Sequence, residues 1–169
     1  MFNNIKDKDN NYRNLINGQW KESSSRNFIE IKSPLDDSII GRVPAMTTIE
    51  VDEAIAGAKD AQKEWKNKTT SERAQVLYKA ADLLEANVEE LADIMMREIC
   101  KDKKSSRSEV LRTADFIRFT AESAKNMSGE SIPGDSFPGF KNNKVSIVKR
   151  EPLGVVLAIS PFNYPVNLA

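Results

Sequence analysis

A chain of 169 residues is long enough for one domain with a real core. Its 25 lysines and arginines balance 25 aspartates and glutamates, so no global field would draw in nucleic acid or an anionic membrane. No run approaches the roughly 18 apolar residues of a membrane span, the single cysteine closes no internal disulfide, and without histidine there is no Ser/His/Asp triad and no histidine metal site. The opening, Met1 to Asn10, has no secretory apolar region and is too acidic for a transit peptide, which with one cysteine points to the cytoplasm.

Residues 1–11 are polar and are expected to form a flexible tail. Leu15-Ile16, Asn17-Gly18 and Gln19-Trp20 read as a hairpin, because Asn-Gly supplies the positive φ angles of a tight turn. Ile29 and Ile31 alternate with Glu30 and Lys32 as in a half-buried strand. The turn Ser33-Pro-Leu-Asp-Asp37 returns the chain to a strand over Ile39 to Val43.

Four helices follow. Thr47-Thr-Ile-Glu50 has capping-box spacing ahead of Val51, Ile55, Ala58, Ala61 and Trp65, and Thr69-Thr-Ser-Glu72 repeats it ahead of Val76, Leu77, Ala80, Leu83 and Leu84. Asn87-Val-Glu-Glu90 is expected to restart a helix carrying Leu91, Ile94, Met95 and Ile99. A fourth helix is expected from about Ser105 to Met127, closed by Ser128-Gly129, with Val110, Ala114, Ile117, Ala121 and Ala124 as its apolar line. Ser131 to Phe140 reads as irregular, and Lys144 to Arg150 alternates like a strand. The basic clusters at Lys101–Lys104 and Lys141–Arg150 read as solvated loop charge.

The end of the chain is its most informative stretch. Val155 to Ile159 is an apolar run of strand length, of the kind covered on both faces in a parallel sheet. Ser160-Pro161 stops it, and Pro165 suits the first turn of a helix. Ser160 to Tyr164 therefore form a strand-to-helix corner, where open α/β sheets bind ligands. The helical stretch that follows is too short to be stable alone, so the chain is expected to be a piece of something longer.

Pro152-Leu-Gly-Val-Val-Leu-Ala-Ile-Ser-Pro-Phe-Asn-Tyr-Pro165 resembles the aldehyde dehydrogenase superfamily, in which a strand leads to a Pro-Phe-Asn or Pro-Trp-Asn corner. Ile159 to Ala169, Asn17-Gly-Gln-Trp20, Val43-Pro-Ala-Met46 and Ser108-Glu-Val-Leu-Arg-Thr-Ala114 are similar to one branch of it, the non-phosphorylating glyceraldehyde-3-phosphate dehydrogenases. These motifs are collinear and cover nearly all of the chain after about Tyr12.

The resemblance implies an α/β fold: small β-hairpins, a helical layer and the first strand of the nucleotide-binding sheet. Residues 12–169 would be the N-terminal part of the cofactor-binding domain, with a bridging or oligomerisation arm at about 130–150, and the catalytic domain would lie outside this chain. It further implies NADP as cofactor, with NAD as the alternative, a small phosphorylated aldehyde as substrate, no nucleic-acid or membrane partner, and a homo-oligomer at full length. The family's nucleophilic cysteine and general-base glutamate would lie downstream, leaving the fragment inactive. Other readings are another NAD(P)-dependent aldehyde dehydrogenase, for example of semialdehyde type, or a truncated non-catalytic protein binding a partner through an unpaired sheet edge.

Within the chain, an asparagine at a strand's carboxyl end can aim an N–H at an oxygen that becomes negative, and the resemblance gives Asn163 that oxyanion role. A helix N-cap is the alternative for Asn163. The resemblance assigns the substrate phosphate to Arg112, whose planar fork suits it; otherwise Arg112 is a solvated side chain paired with Glu109 or Asp115. Tyr164 would line the substrate pocket, and Ser160, Pro161 and Phe162 would pass beneath the nicotinamide ribose, although they could equally be a plain turn with Phe162 in the core. Cys100 lacks the nucleophile's glycine-rich context and reads as a semi-buried structural cysteine. Arg107 and Arg118 read as surface.

Overall fold

Local signals decide the first half of the fold. The computed structural model describes residues 5–139, 141 and 143–169. β1 (Asn14–Ile16) and β2 (Gln19–Lys21) pair antiparallel across a turn in which Asn17 and Gly18 hold φ of 53° and 73°. β3 (Phe28–Lys32) and β4 (Ile39–Pro44) form a second antiparallel pair, with a register shift between Ile31 and Lys32. Of the expected tail, Ile5 onward is described. Lys6 bridges to Tyr12, and Tyr12 N–H donates to the carbonyl of Arg42 at 2.7 Å, so this segment lies on the edge of β4.

Both capping boxes form as expected, at α1 (Thr48–Trp65) and α2 (Thr70–Ala86). The Glu50 carboxylate does more than close its box. It accepts from the N–H groups of Thr47 at 2.8 Å and Ser24 at 2.7 Å and from the Ser23 hydroxyl at 2.8 Å, binding the β2–β3 loop to the start of α1. The hairpin tip approaches the same helix at Gly57, where any Cβ would collide with the side chain of Asn17.

α3 (Val88–Ile99) starts without the side-chain cap expected of Asn87, whose amide instead donates back to the Leu83 carbonyl at the end of α2. α4 (Lys103–Lys125) begins earlier than its apolar line implied, because Asp102 caps it by accepting from Ser105 N–H at 2.9 Å. It closes at Asn126 rather than at Ser128-Gly129.

α2, α3 and α4 pack around a core made largely of alanine: Ala74, Ala81, Ala92, Ala114 and Ala121, with Met95 and Val110. Small side chains let helix backbones approach closely, so the buried line of α2 runs through alanines while Val76 and Leu83 stay exposed. α1 buries none of its residues. Arg118, expected at the surface, stays partly exposed and there bridges α4 to α2. It forks onto both oxygens of Glu85 at 2.6 and 2.8 Å and reaches Asp82 at 2.7 Å, and these carboxylates raise its pKa.

The stretch expected to be irregular contains β5 (Glu130–Pro133), which pairs antiparallel with β6 (Val145–Val148) to make a two-stranded arm. A 3₁₀ turn over Gly134–Ser136 follows β5. The run expected to be the first strand of a nucleotide-binding sheet carries no ladder, since a strand exists only through pairing and no partner lies beside it among the described residues. Leu157 and Ile159 are 82% and 80% exposed.

The hydrogen bonds from Ser24 and Thr47 N–H and from Ser23 hold the Glu50 carboxyl down at about 2, against an ordinary value of 4.5. With the folded value below the unfolded one, the contribution of Glu50 is complete above about pH 4.5 and fades as the pH falls towards about 2. Glu50→Gln should therefore lower the melting temperature of the protein at about pH 7, and the gap to wild type should narrow steadily as the pH falls through that window. Calorimetry across the series checks this; a gap independent of pH would show that the charge of Glu50 contributes nothing.

Candidate functional site

The site is built where the start of α4 meets the end of the chain. α3 ends on Cys100, which takes a left-handed conformation (φ 54°) and turns the chain towards the cap at Asp102. Lys101 is thereby left at the mouth of α4. Ser106, Glu109, Val110, Thr113 and Ala114 form one buried stripe of that helix, and within it Glu109 is only 2% exposed.

A carboxylate so deeply buried must be fully compensated. Lys101 Nζ pairs with Glu109 Oε2, and Val166 and Asn167 donate their N–H groups to Glu109 Oε1 at 2.9 and 3.1 Å. The Asn167 amide donates to Thr113 Oγ1 at 3.1 Å, and the Thr113 hydroxyl donates to the Glu109 carbonyl at 2.8 Å. Lys101 also donates to the main-chain oxygen of Asn163 at 3.0 Å, and its ammonium lies 3.9 Å from the centre of the Tyr164 ring. Among the described residues no buried side-chain polar atom lacks a partner.

Pro165 begins a single helical turn, closed by Leu168 N–H on the Tyr164 carbonyl at 3.2 Å. Its first free amides are satisfied by Glu109 from another helix, and not by Asn163. The N-cap alternative for Asn163 is corrected accordingly: its side chain is exposed and carries no hydrogen bond among the described residues. Tyr164 sits against Lys101 with its ring partly exposed. Pro161 and Phe162 are exposed, Phe162 to 80%, which removes it from the core; Ser160 is half-buried.

Arg112 projects from α4 one turn beyond Glu109, exposed, with no ion pair among the described residues. The pairing with Glu109 or Asp115 does not form, because Lys101 occupies Glu109 and Asp115 lies 3.9 Å from Arg118. Among the described residues no hydrogen bond or ion pair links Arg112 to the corner. Cys100 is exposed rather than semi-buried. Lys101, read as solvated charge, is half-buried, with a side chain 15% exposed. Sequence reasoning missed Lys101, Glu109, Thr113 and Asn167 as a group. The available signal was the spacing of Glu109 and Thr113 beside Ser106, Val110 and Ala114, which puts both polar residues on the buried stripe.

Among the described residues no cluster could hold a metal ion, and no helix is long and apolar enough to cross a membrane. A cavity of about 450 Å³ lies elsewhere, between β3, β4 and α3, lined by Tyr12, Ile31, Ile40 and Ile94 among others, and by none of the site residues.

The family model for the aldehyde dehydrogenase family matches residues 20–169. The chain belongs to the aldehyde dehydrogenase family. It is 46% identical to the NADP-dependent glyceraldehyde-3-phosphate dehydrogenase of Streptococcus equinus, over 94% of this chain and 33% of that protein. To the 3-sulfolactaldehyde dehydrogenase of Priestia aryabhattai it is 39% identical, over 93% of this chain and 32% of that one. The crystal structure of NADP-dependent glyceraldehyde-3-phosphate dehydrogenase from Bacillus halodurans C-125 complexed with NADP superposes with a TM-score of 0.90 at 51% identity, covering 94% of this chain and 33% of that one. The chain thus spans about a third of the length of the relatives it matches. The expected order of small hairpins, helical layer and corner agrees with this fold.

Because Glu109 supplies the cap, Asn163→Ala should change stability by no more than about 0.5 kcal/mol, as at an ordinary surface site. Glu109→Ala should cost about 3–5 kcal/mol, since it leaves Lys101 buried without its partner. Thermal denaturation of the two variants side by side checks both; an Asn163→Ala loss equal to that of Glu109→Ala would return the capping role to Asn163.

Proposed function

We propose that this chain is the N-terminal part of a cytoplasmic NADP-dependent oxidoreductase that oxidises glyceraldehyde 3-phosphate to 3-phosphoglycerate. The observation that carries the proposal is the free side-chain amide of Asn163, presented on a corner whose main chain is held from behind by Lys101 and Glu109. A donor whose main chain is held before substrate arrives has only its side-chain torsions to set when charge develops on the aldehyde oxygen, which approaches the preorganisation required of an oxyanion donor. Relatives named for this activity, 46% and 42% identical, favour the same reading.

In this reading Asn163 donates to the substrate oxygen, Tyr164 borders the carbon chain, and Arg112 binds the anionic tail of the substrate. Half-buried Ser160 and exposed Pro161 and Phe162 make no hydrogen bonds among the described residues, and in this reading they lie against the dinucleotide. NADP, when bound, accepts the hydride released from the aldehyde carbon. This chain's own residues orient the aldehyde and its oxygen. In this reading none of these residues is the family's nucleophile or general base, so the 169 residues alone are inactive. The β5–β6 arm, with Val145 and Ile147 exposed, is assigned to contact with a second copy.

A second reading changes only the tail. In it a sulfonate stands where the first reading has a phosphate, and the likeness to a 3-sulfolactaldehyde dehydrogenase supports it. An exposed, unpaired guanidinium would meet either anion, and the doubly charged phosphate gains more from it.

In the intact protein, Asn163→Ala should lower kcat by roughly a hundred- to a thousandfold. Asn163→Asp should stay folded and be as slow or slower, because a carboxylate repels an oxyanion; steady-state kinetics retaining more than about a tenth of wild-type kcat would remove the donor role. Arg112→Ala should weaken kcat/KM for glyceraldehyde 3-phosphate by an amount corresponding to about 1.5–3 kcal/mol while sparing an unphosphorylated aldehyde of similar shape. Equal losses for both would make Arg112 structural, and a larger loss for 3-sulfolactaldehyde than for the phosphate would favour the second reading.

A further inference from the structure

We infer that Lys101 and Glu109 are positioning residues for this reaction, fixing the main chain from Asn163 to Asn167 so that the Asn163 amide and the Tyr164 ring are presented to substrate. The inference rests on the reading of Asn163 as the oxyanion donor. Lys101 Nζ holds the Asn163 carbonyl at 3.0 Å, which fixes the peptide plane between Asn163 and Tyr164. The same ammonium covers the Tyr164 ring at 3.9 Å. Glu109 Oε1 holds the N–H groups of Val166 and Asn167, which fixes the next planes on the far side of Pro165. Three planes around the corner are thus tied to one ion pair, leaving the Asn163 amide only its own side-chain torsions to set.

The arrangement is not a second oxyanion donor. The charge of Lys101 is matched by Glu109, and its hydrogen bonds go to the main chain and the carboxylate rather than outward. Its effect passes through Asn163 and Tyr164. A shift of about an ångström in a reacting group can cost about a hundredfold in rate, so a corner released from these ties should lose turnover without losing its fold.

The test uses the intact protein and compares Glu109→Gln, Lys101→Met and the double variant with wild type and with Asn163→Ala. Measured for each are kcat and KM for glyceraldehyde 3-phosphate, the Kd of NADP and the melting temperature. We expect kcat to fall about ten- to a hundredfold in each variant, with Kd for NADP within about twofold of wild type, and the double variant no worse than the poorer single. Lys101→Arg, which keeps the charge but changes the reach and shape of the donor, should lie between wild type and Lys101→Met. The double variant leaves no unpaired buried charge and is decisive where a single variant does not fold; Lys101→Arg is decisive where the double does not. Wild-type kcat in the decisive variant overturns the inference, as does a kcat loss matched by equal losses in NADP affinity and melting, which marks a merely structural pair. Wild-type kcat in Asn163→Ala sinks the reading of Asn163 itself. A crippled Asn163→Ala beside a fully active double variant sinks only the positioning role.

Discussion

A carboxylate in the interior of a helix bundle must be neutralised from every side, and the way Glu109 is neutralised decides where the end of the chain lies. An ion pair alone is weak compensation, because removing both charges from water costs several kcal/mol per ion. Two main-chain N–H groups supply the remainder, and they come from residues more than fifty positions further on. A buried charge on α4 therefore acts as a long-range constraint, joining the α3–α4 turn, the first turns of α4 and the turn after Pro165. Breaking any one arm leaves the others uncompensated.

That constraint matters more because the core is thin. Alanines at the contacts of α2, α3 and α4 permit close approach but bury little area each, so packing alone would hold the final segment weakly. The larger apolar side chains lie outward, among them Ile49, Phe119, Leu157 and Ile159. Apolar area on that scale argues for faces that meet other protein rather than water. The final segment carries no β-ladder among the described residues and is tied to the helices by hydrogen bonds to Lys101, Glu109 and Thr113.

Elements whose determinants lie within a few residues were legible from sequence. The Asn17-Gly18 turn, the boxes at Thr47 and Thr69 and the corner opened by Ser160-Pro161 each carry their own cause. Illegible were the features whose partner is distant. β5 has an unremarkable sequence and becomes a strand only beside β6. On α2 the expected line ran through Val76, Leu77 and Leu83, whereas close packing selected Ala74 and Ala81; on α4 the expected Val110, Ala114 and Ala121 are buried. Lys101 looked like one of several solvated lysines, and nothing local distinguishes it from Lys103 or Lys104. Only the position of Glu109 on the buried stripe hinted that a counter-charge had to come from somewhere.

The division of labour at the corner follows from the same chemistry. A turn that begins at a proline still has free amides, and the usual donor of compensation is a short polar side chain just before it. Asn163 stands there, and were its side chain to turn back onto Val166 or Asn167 it could not point outward at the same time. Glu109 removes that competition by reaching the two amides from α4, with Thr113 taking the Asn167 side chain. Lys101 then occupies the Asn163 carbonyl and leaves the side-chain amide of that residue without a hydrogen bond among the described residues. An exposed amide is ordinarily of little interest. Here the Val166 and Asn167 amides and the Asn163 carbonyl are taken by Glu109 and Lys101, which leave the Asn163 side chain alone, and that is what makes its amide the candidate donor of the site.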